Sequence, residues 1–317
     1  MPIRPTPAAV LLAAALAGCA GLPPDPGAAS GAPTRSAPVA RPVDAAVAAP
    51  LPPDAGALAE AMRGASLVLL GEMHDNPAQH RLRAEALARL VAAGARPALA
   101  FEQFDRERQA DLDAARAERA HDADALIARA GGPGWDWAHY RPFVQLALDH
   151  GLPIVAANLS RIDASRVVRE GFGAVFDAAE RAALGLDSPP AELLAALEVE
   201  VDRGHCGVLP QPMLAPMARA QIARDAVLAQ RIAPHAERGV VLLTGNAHAR
   251  RDLGVVRWLT PPLRERAIAI GLLETGSQAA TPAGAFDRVI VTDAPPRGDR
   301  CVALRERLRG AAAPQGR

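Results

Sequence analysis

Four short apolar runs punctuate the chain: Leu67-Val68-Leu69-Leu70, Ala98-Leu99-Ala100-Phe101, Pro153 to Ala157, and Val240 to Thr244. Apolar runs of this length, bounded by turn formers, suit strands buried on both faces of a parallel sheet when helices connect them. Helix-like segments do separate them, at about Ala78 to Ala93, Asp105 to Ala130, Trp137 to His150 and Met217 to Ile232. The alternation predicts an α/β fold: a mainly parallel sheet with helices on both faces, plus a helical insertion.

Each run exits into polar residues. Gly71-Glu72-Met73-His74-Asp75 follows the first, Glu102-Gln103 the second, Asn158-Leu159-Ser160-Arg161 the third and Gly245-Asn246-Ala247-His248 the fourth. Open parallel sheets bind ligands beyond the carboxyl ends of their strands, so these residues are expected to converge on one crevice although they lie far apart in the chain. Gly-x-x-His occurs twice there, at Gly71 to His74 and Gly245 to His248. In each copy a glycine lets the backbone approach a ligand, and an imidazole follows three residues later. Two imidazoles with Glu72 or Glu102 supply the groups for acid–base hydrolysis, or for a divalent metal held by His74, His248 and Glu102. Met217, Gln221, Asp225 and Leu228 fall on one helical stripe, which makes Gln221 and Asp225, together with Asn158, candidates to support the crevice from behind.

Aromatic residues make up only 3% of the chain, and six of the ten lie between Phe101 and Phe143. Trp137, Tyr140 and Phe143 recur at helical spacing, which is the pattern of a packed helix. The same residues also make a flat wall for a planar cofactor, with Tyr140, the single tyrosine, as a phenol able to ligate iron. Spacing alone leaves both readings open.

Composition narrows the class. The 35 basic and 35 acidic side chains cancel, which removes the cationic footprint of a nucleic-acid binder. No lysine is present, so every fixed side-chain cation is an arginine. No apolar run reaches the roughly 20 residues that span a bilayer. The N-terminus has Arg4, an apolar stretch from Ala8 to Leu16, and then Leu16-Ala17-Gly18-Cys19. This is the pattern of a signal peptide over residues 1–18, and its ending resembles the lipobox of bacterial lipoproteins, in which the cysteine is acylated, palmitate included. Cys19 is therefore expected to be the first mature residue and the membrane anchor. Several acyl chains together hold a protein to a bilayer stably, at about 0.8 kcal/mol per buried methylene. Ala20, in the position where an aspartate signals inner-membrane retention, points to the outer membrane, with the protein facing the periplasm. Residues 19–56 are rich in proline, alanine and glycine and are expected to form a tether. The folded domain is expected at 57–309 and a disordered tail at 310–317. Cys206 and Cys301 are the only other cysteines, and export to an oxidising compartment predicts that they pair.

An ordered set of motifs then emerges: Gly-Glu-Met-His-Asp-Asn at 71–76, Phe-Glu-Gln-Phe at 101–104, Trp137-Ala-His-Tyr140, Asn158-Leu-Ser-Arg161, His205-Cys206-Gly207, Gln221 with Asp225, and Gly-Asn-Ala-His-Ala-Arg-Arg-Asp at 245–252. Together they resemble the ChaN-like haem-binding lipoproteins. The paired Gly-x-x-His motifs also look like those of the wider Tiki superfamily, which includes metal-dependent proteases and erythromycin-esterase-like hydrolases. The resemblance implies a lipid-anchored homodimer that binds haem for iron uptake. It implies iron ligation by tyrosine, here Tyr140, and propionates held by histidine and a cation. His74, His248 and Arg250 are the residues in this chain expected to fill those last roles. The superfamily likeness implies the alternative, a metal-dependent protease or esterase using Glu72, His74, Glu102 and His248.

Overall fold

The computed structural model describes residues 50–277, 280–299 and 301–306. The expected signal peptide, Cys19, most of the tether and the tail lie outside the described residues. Six strands form one parallel sheet: β1 (Leu67–Leu70), β2 (Ala98–Asp105), β3 (Ile154–Asn158), β4 (Val240–Leu243), β5 (Ala267–Glu274) and β6 (Arg288–Thr292), in the spatial order β3-β2-β4-β1-β5-β6. The helices are α1 (Ala55–Met62), α2 (Pro77–Ala92), α3 (Gln109–Glu118), α4 (Ala123–Ala130), α5 (Trp137–Asp149), α6 (Arg161–Glu170), α7 (Ala178–Ala183), α8 (Ala191–Gly204), α9 (Gln211–Ile232), α10 (Asn246–Ala249) and α11 (Pro261–Glu265).

Strand periodicity divides the core. Val68, Leu70, Leu99, Phe101, Val241 and Leu243 face one side of the sheet, where they pack with α1, α2 and α5. Leu67, Leu69, Ala98, Ala100, Val240 and Leu242 face the other, against the C-terminal half of α9. Side chains two apart share a face, so this parity continues past the strand ends. It sends Glu72 toward α2 and α5, and Glu102 toward α9. A third apolar cluster joins α6, α8 and the middle of α9, and is the expected helical insertion.

Four details differ from the sequence pattern. β5 and β6 were not anticipated. β5 carries Gly271 within its apolar run, where the missing side chain leaves room for the Phe286 ring at 2.8 Å from an ideal Cβ, and β6 is a half-exposed edge. The helix expected across residues 105–130 is broken at residues 119–122, because Asp122 caps α4 by accepting from Ala125 N at 2.9 Å. β2 runs on to Asp105, so Glu102 and Gln103 belong to the strand itself. The folded chain also starts before residue 57: Leu51 bridges to Ile290, and Asp54 caps α1.

Candidate functional site

β1 and β4 are neighbours with Leu70 opposite Leu243, so the two Gly-x-x-His motifs leave the sheet side by side. They interlock through their glycines. A Cβ at Gly71 would collide with Asn246 Oδ1, and one at Gly245 would stand 2.9 Å from His74 Cε1. Asn246 N also donates to the Glu72 carbonyl at 3.0 Å. Each glycine is thus required by the other motif's side chain. Asn76, which ends the first motif, caps α2 by accepting from Ala78 N and Gln79 N, and Pro77 at the first turn needs no amide partner. The helix therefore begins at once and brings His80 and Arg83 back over Glu72.

Glu72 is 2% exposed and is surrounded by donors. Tyr140 Oη donates to Oε1 at 2.6 Å, His74 Nδ1 lies 2.9 Å from the same oxygen, and Arg83 donates to Oε2; His80 Nδ1 stands 3.0 Å from Oε2 without a hydrogen bond, the proton of that ring being on Nε2 and directed to the His74 carbonyl. Arg83 is fully buried, with its guanidinium 5.4 Å from the Phe143 ring centre, and burial lowers it to about 10. Burial also draws His80 down to about 4, so that ring is neutral where it stacks on His139. A carboxylate can only accept, so His74 carries its proton on Nδ1 in the neutral ring and has its lone pair on Nε2. His74 Nε2 has no hydrogen-bond partner among the described residues, and the side chain is 49% exposed beside the edge of Trp135.

Glu102 sits on the other face. It accepts from Thr244 Oγ1 at 2.7 Å and from Gly245 N at 2.8 Å, and its Oε1 lies 3.6 Å from His248 Nε2. Burial would raise this carboxyl, but the His248 and His74 imidazoles and the two donors overcome it and hold it at about 2. His248 Nδ1 is 2.7 Å from Asp225 Oδ1. Burial acts to deprotonate His248, yet Asp225 and Glu102 raise it to about 9. Burial pushes Asp225 up as well, so around neutrality the Asp225–His248 pair holds one proton and has no net charge.

Both networks meet a cavity of about 680 Å3 lined by Glu72, His74, Glu102, Trp135, Arg224 and His248, among others. The structure thus brings together Glu72, His74, Glu102 and His248, with Gln221 on the wall and Asp225 behind His248. Asn158 is one step further back, between Asp105 and Arg224. Two expected residues are elsewhere. Tyr140 is 1% exposed, with its hydroxyl committed to Glu72 and burial pushing it well above the usual phenol range, so the phenol is not presented to the cavity. Arg250 is also buried and is occupied by Glu200 and Asp252, because α10 turns it away from the crevice toward α8. The aromatic cluster divides: Trp135 lines the cavity, whereas Trp137, Phe101, Phe104 and Phe143 pack in the core.

Sequence reasoning missed Arg224, which lines the cavity and donates Nη1 to Asn158 Oδ1 at 2.8 Å. Its position one residue before Asp225 was the available signal. Arg297, also at the cavity, pairs with Glu274 and Asp75. His74, His248 and Glu102 do not form a metal centre, and no group of three such side chains suited to an ion occurs among the described residues. Cys206 and Cys301 are bonded as expected, with Cα atoms 5.5 Å apart. No helix among the described residues is long and apolar enough to cross a membrane.

The fold and site define a parallel α/β protein whose ligand cavity stands on two interlocked Gly-x-x-His strand exits. Residues 58–259 match the family of haem-binding uptake proteins of the Tiki superfamily, ChaN, and the chain belongs to that family. Among solved structures it is similar to ChaN of Campylobacter jejuni, described for cofacial haem binding, at 19% identity and a TM-score of 0.56 over 73% of this chain and 89% of that one. An erythromycin esterase mutant in its open conformation shares 14% identity over 80% of this chain and 82% of its own, with a TM-score of 0.42. The type III effector HopBA1 is similarly distant, at 14% identity and 0.42 over 76% of this chain and 94% of that one. No curated protein sequence matches the chain significantly.

Proposed function

We propose that this protein is a lipid-anchored haem-binding protein of the bacterial outer membrane, acting in haem and iron uptake, with His74 as the iron-facing residue. The observation that carries the reading is His74 itself. Its Nδ1 is fixed by a buried carboxylate, its Nε2 has no hydrogen-bond partner among the described residues, and its ring stands in a cavity beside Trp135. A ligand imidazole oriented by an outer carboxylate is the arrangement that metal-bound histidines adopt. Arg224 supplies a cation on the same wall for a propionate, the role that Arg250 does not fill. Tyr140 acts one step away: by donating to Glu72 it helps aim His74. Bound haem supplies an iron centre that accepts a nitrogen lone pair. Cys19 provides the anchor, and the family likeness supports a homodimer.

Haemin titration of the mature chain, followed in the visible spectrum, tests the site. Wild type is expected to saturate, His74→Ala to lose the ligand-specific spectrum, and Tyr140→Phe to keep binding with a shifted spectrum. An unchanged spectrum in His74→Ala removes the ligand assignment, and no saturable change in wild type removes the haem reading. For the anchor, Cys19→Ala is expected to leave an unacylated precursor; its normal recovery in the outer membrane excludes the lipid.

A second reading is favoured by the Asp225–His248–Glu102 row, an imidazole held between two buried carboxylates at the cavity wall. That row is suited to moving a proton during ester or peptide hydrolysis. Turnover of chromogenic esters that is lost in His248→Ala would support hydrolysis, and its absence in wild type would exclude this reading for esters.

A further inference from the structure

After β6 the chain passes along the rim of the site. Residues 293–299 are followed by a short helix at 301–306, and no residue in either stretch is buried. Arg297 nevertheless lines the cavity that holds His74. Without apolar burial, the hold of this segment on the body rests on polar contacts and one covalent bond. Asn76 Nδ2 donates to the Asp293 carbonyl at 3.0 Å and fixes its root. Arg297 donates to Glu274 Oε2 at 2.7 Å and to Asp75 Oδ1 at 3.1 Å. Asp299 caps the short helix, accepting from Cys301 N at 2.7 Å, a contact internal to the segment. Beyond Arg297, the ties to the body among the described residues are Arg305 Nη2, 3.3 Å from the Cys206 carbonyl, and the Cys206–Cys301 bridge. Ion pairs open to water hold a chain weakly, so the bridge is the dominant tie. It is also within reach of a reductant, since both cysteines are only partly buried. Cys206 leaves α8 at φ 60, a conformation in which glycine is the ordinary choice, so a cysteine stands there against local preference.

We propose that the Cys206–Cys301 bridge is a redox latch: closed, it keeps Arg297 at the cavity wall, and its reduction by an external dithiol frees residues 293–299 and weakens ligand binding. A thiolate of the dithiol attacks one bridge sulfur, the S–S bond breaks, and the other sulfur leaves as a thiolate and takes up a proton. The second thiol of the dithiol then loses its proton and attacks the mixed disulfide, from which the first bridge sulfur leaves and is protonated in turn. Two electrons and two protons thus pass to Cys206 and Cys301, and the donor becomes a disulfide. The freed segment regains chain entropy, which the Arg297 pairs alone do not offset. The effect on ligand affinity rests on the haem reading; the release of the segment does not.

Trypsin cleavage after Arg297 in the mature chain, assigned by mass spectrometry, reads the release directly. The oxidised protein is expected to resist. Wild type reduced with dithiothreitol, and the double variant Cys206→Ser with Cys301→Ser, are expected to be cut there at least about tenfold faster, with unchanged far-UV circular dichroism. Equal cleavage of the oxidised and reduced folded protein overturns the latch, and the reduced wild type decides the matter if the double variant does not fold. Haemin titration of the double variant needs no thiol reagent, and its affinity is expected to be about tenfold below that of oxidised wild type. Arg297→Gln with the bridge intact is expected to weaken haemin by a similar factor, and to weaken it no further when added to the double variant. Undiminished haemin affinity in the double variant, or full additivity with Arg297→Gln, overturns the coupling of bridge to cavity. Failure of oxidised wild type to bind haemin overturns the haem reading and the effect on affinity with it, while faster cleavage on reduction still establishes the release.

Discussion

In the first Gly-x-x-His motif the glutamate is sealed under α2 and α5 while the histidine side chain stands 49% exposed in the cavity; in the second, the histidine side chain is 11% exposed and is held from behind by Asp225. The two motifs share a glycine at the strand exit and an imidazole three residues on. They differ in what packs over them. Glu72 lies on the face covered by α2, which returns Arg83 and His80 to it, so its carboxylate is spent on structure and on aiming His74. α9 covers the opposite face and brings Asp225 to His248, so there the imidazole is fixed and charged and Glu102 completes the row. One copy presents an open ring nitrogen to the cavity. The other holds a proton. The same local pattern yields two different tools because the overlying helix supplies different partners.

The largest effect expected from breaking this contrast is at Arg83. Arg83→Met leaves Glu72 as a buried carboxylate without its ion partner, and a loss of about 3–5 kcal/mol is expected in urea unfolding. The His248 titration should be untouched, because that ring is on the other face of the sheet. A loss below about 1 kcal/mol would mean that Glu72 is not held as an ion.

A smaller effect is expected in the second network. Asp225→Asn retains a hydrogen-bonding group at His248 but removes its charge, and should cost about 1–3 kcal/mol at pH 6. Imidazole titration by NMR should show His248 falling from about 9 toward its ordinary range. A titration unchanged by the substitution would place the cause elsewhere.

The pH dependence of wild-type stability sharpens the same point. His248 titrates higher in the folded state than unfolded, so its contribution is complete below about pH 6.5 and is lost as pH rises through about 9. Glu102 is depressed to about 2, so its contribution is complete above about pH 4.5 and is lost as pH falls toward 2. Unfolding free energy should therefore decline from pH 6.5 to 9 in wild type and more weakly in Asp225→Asn. Parallel slopes would show that His248 is not the group responsible.

The smallest stability effect belongs to the open imidazole. His74→Ala should change the unfolding free energy by no more than about 0.5 kcal/mol while removing the haemin spectrum, since half of the side chain faces solvent. A large destabilisation would make the first motif as structural as the second.

Much of this site is legible without coordinates. The four apolar runs mark the strands, and their polar exits identify Glu72, His74, Glu102 and His248 as neighbours, because a parallel sheet gathers its carboxyl ends on one side. The helical stripe places Gln221 and Asp225 correctly beside them. Alternation and spacing are local, and local patterns survive folding wherever one face of an element is buried. Tyr140 shows where this stops. Its helical spacing with Trp137 and Phe143 describes a packed helix equally well, and only the approach of Glu72 decides that its hydroxyl is consumed inside. Arg250 looks like a free cation beside His248 until α8 brings Glu200 against it. Arg83 is one of three arginines along α2, and it is distinguished by lying buried over the Phe143 ring of α5.

The sequence by itself determined the strand order of chemistry along the chain, the crevice, the paired glycines and histidines, and the cysteine pair. The tertiary structure alone decided which carboxylate is locked and which faces the cavity, which imidazole stands open and which is buried and charged, and that the phenol is closed off. The reason is that a polar side chain's charge and direction are set by desolvation and by partners from distant elements, which an apolar pattern does not encode.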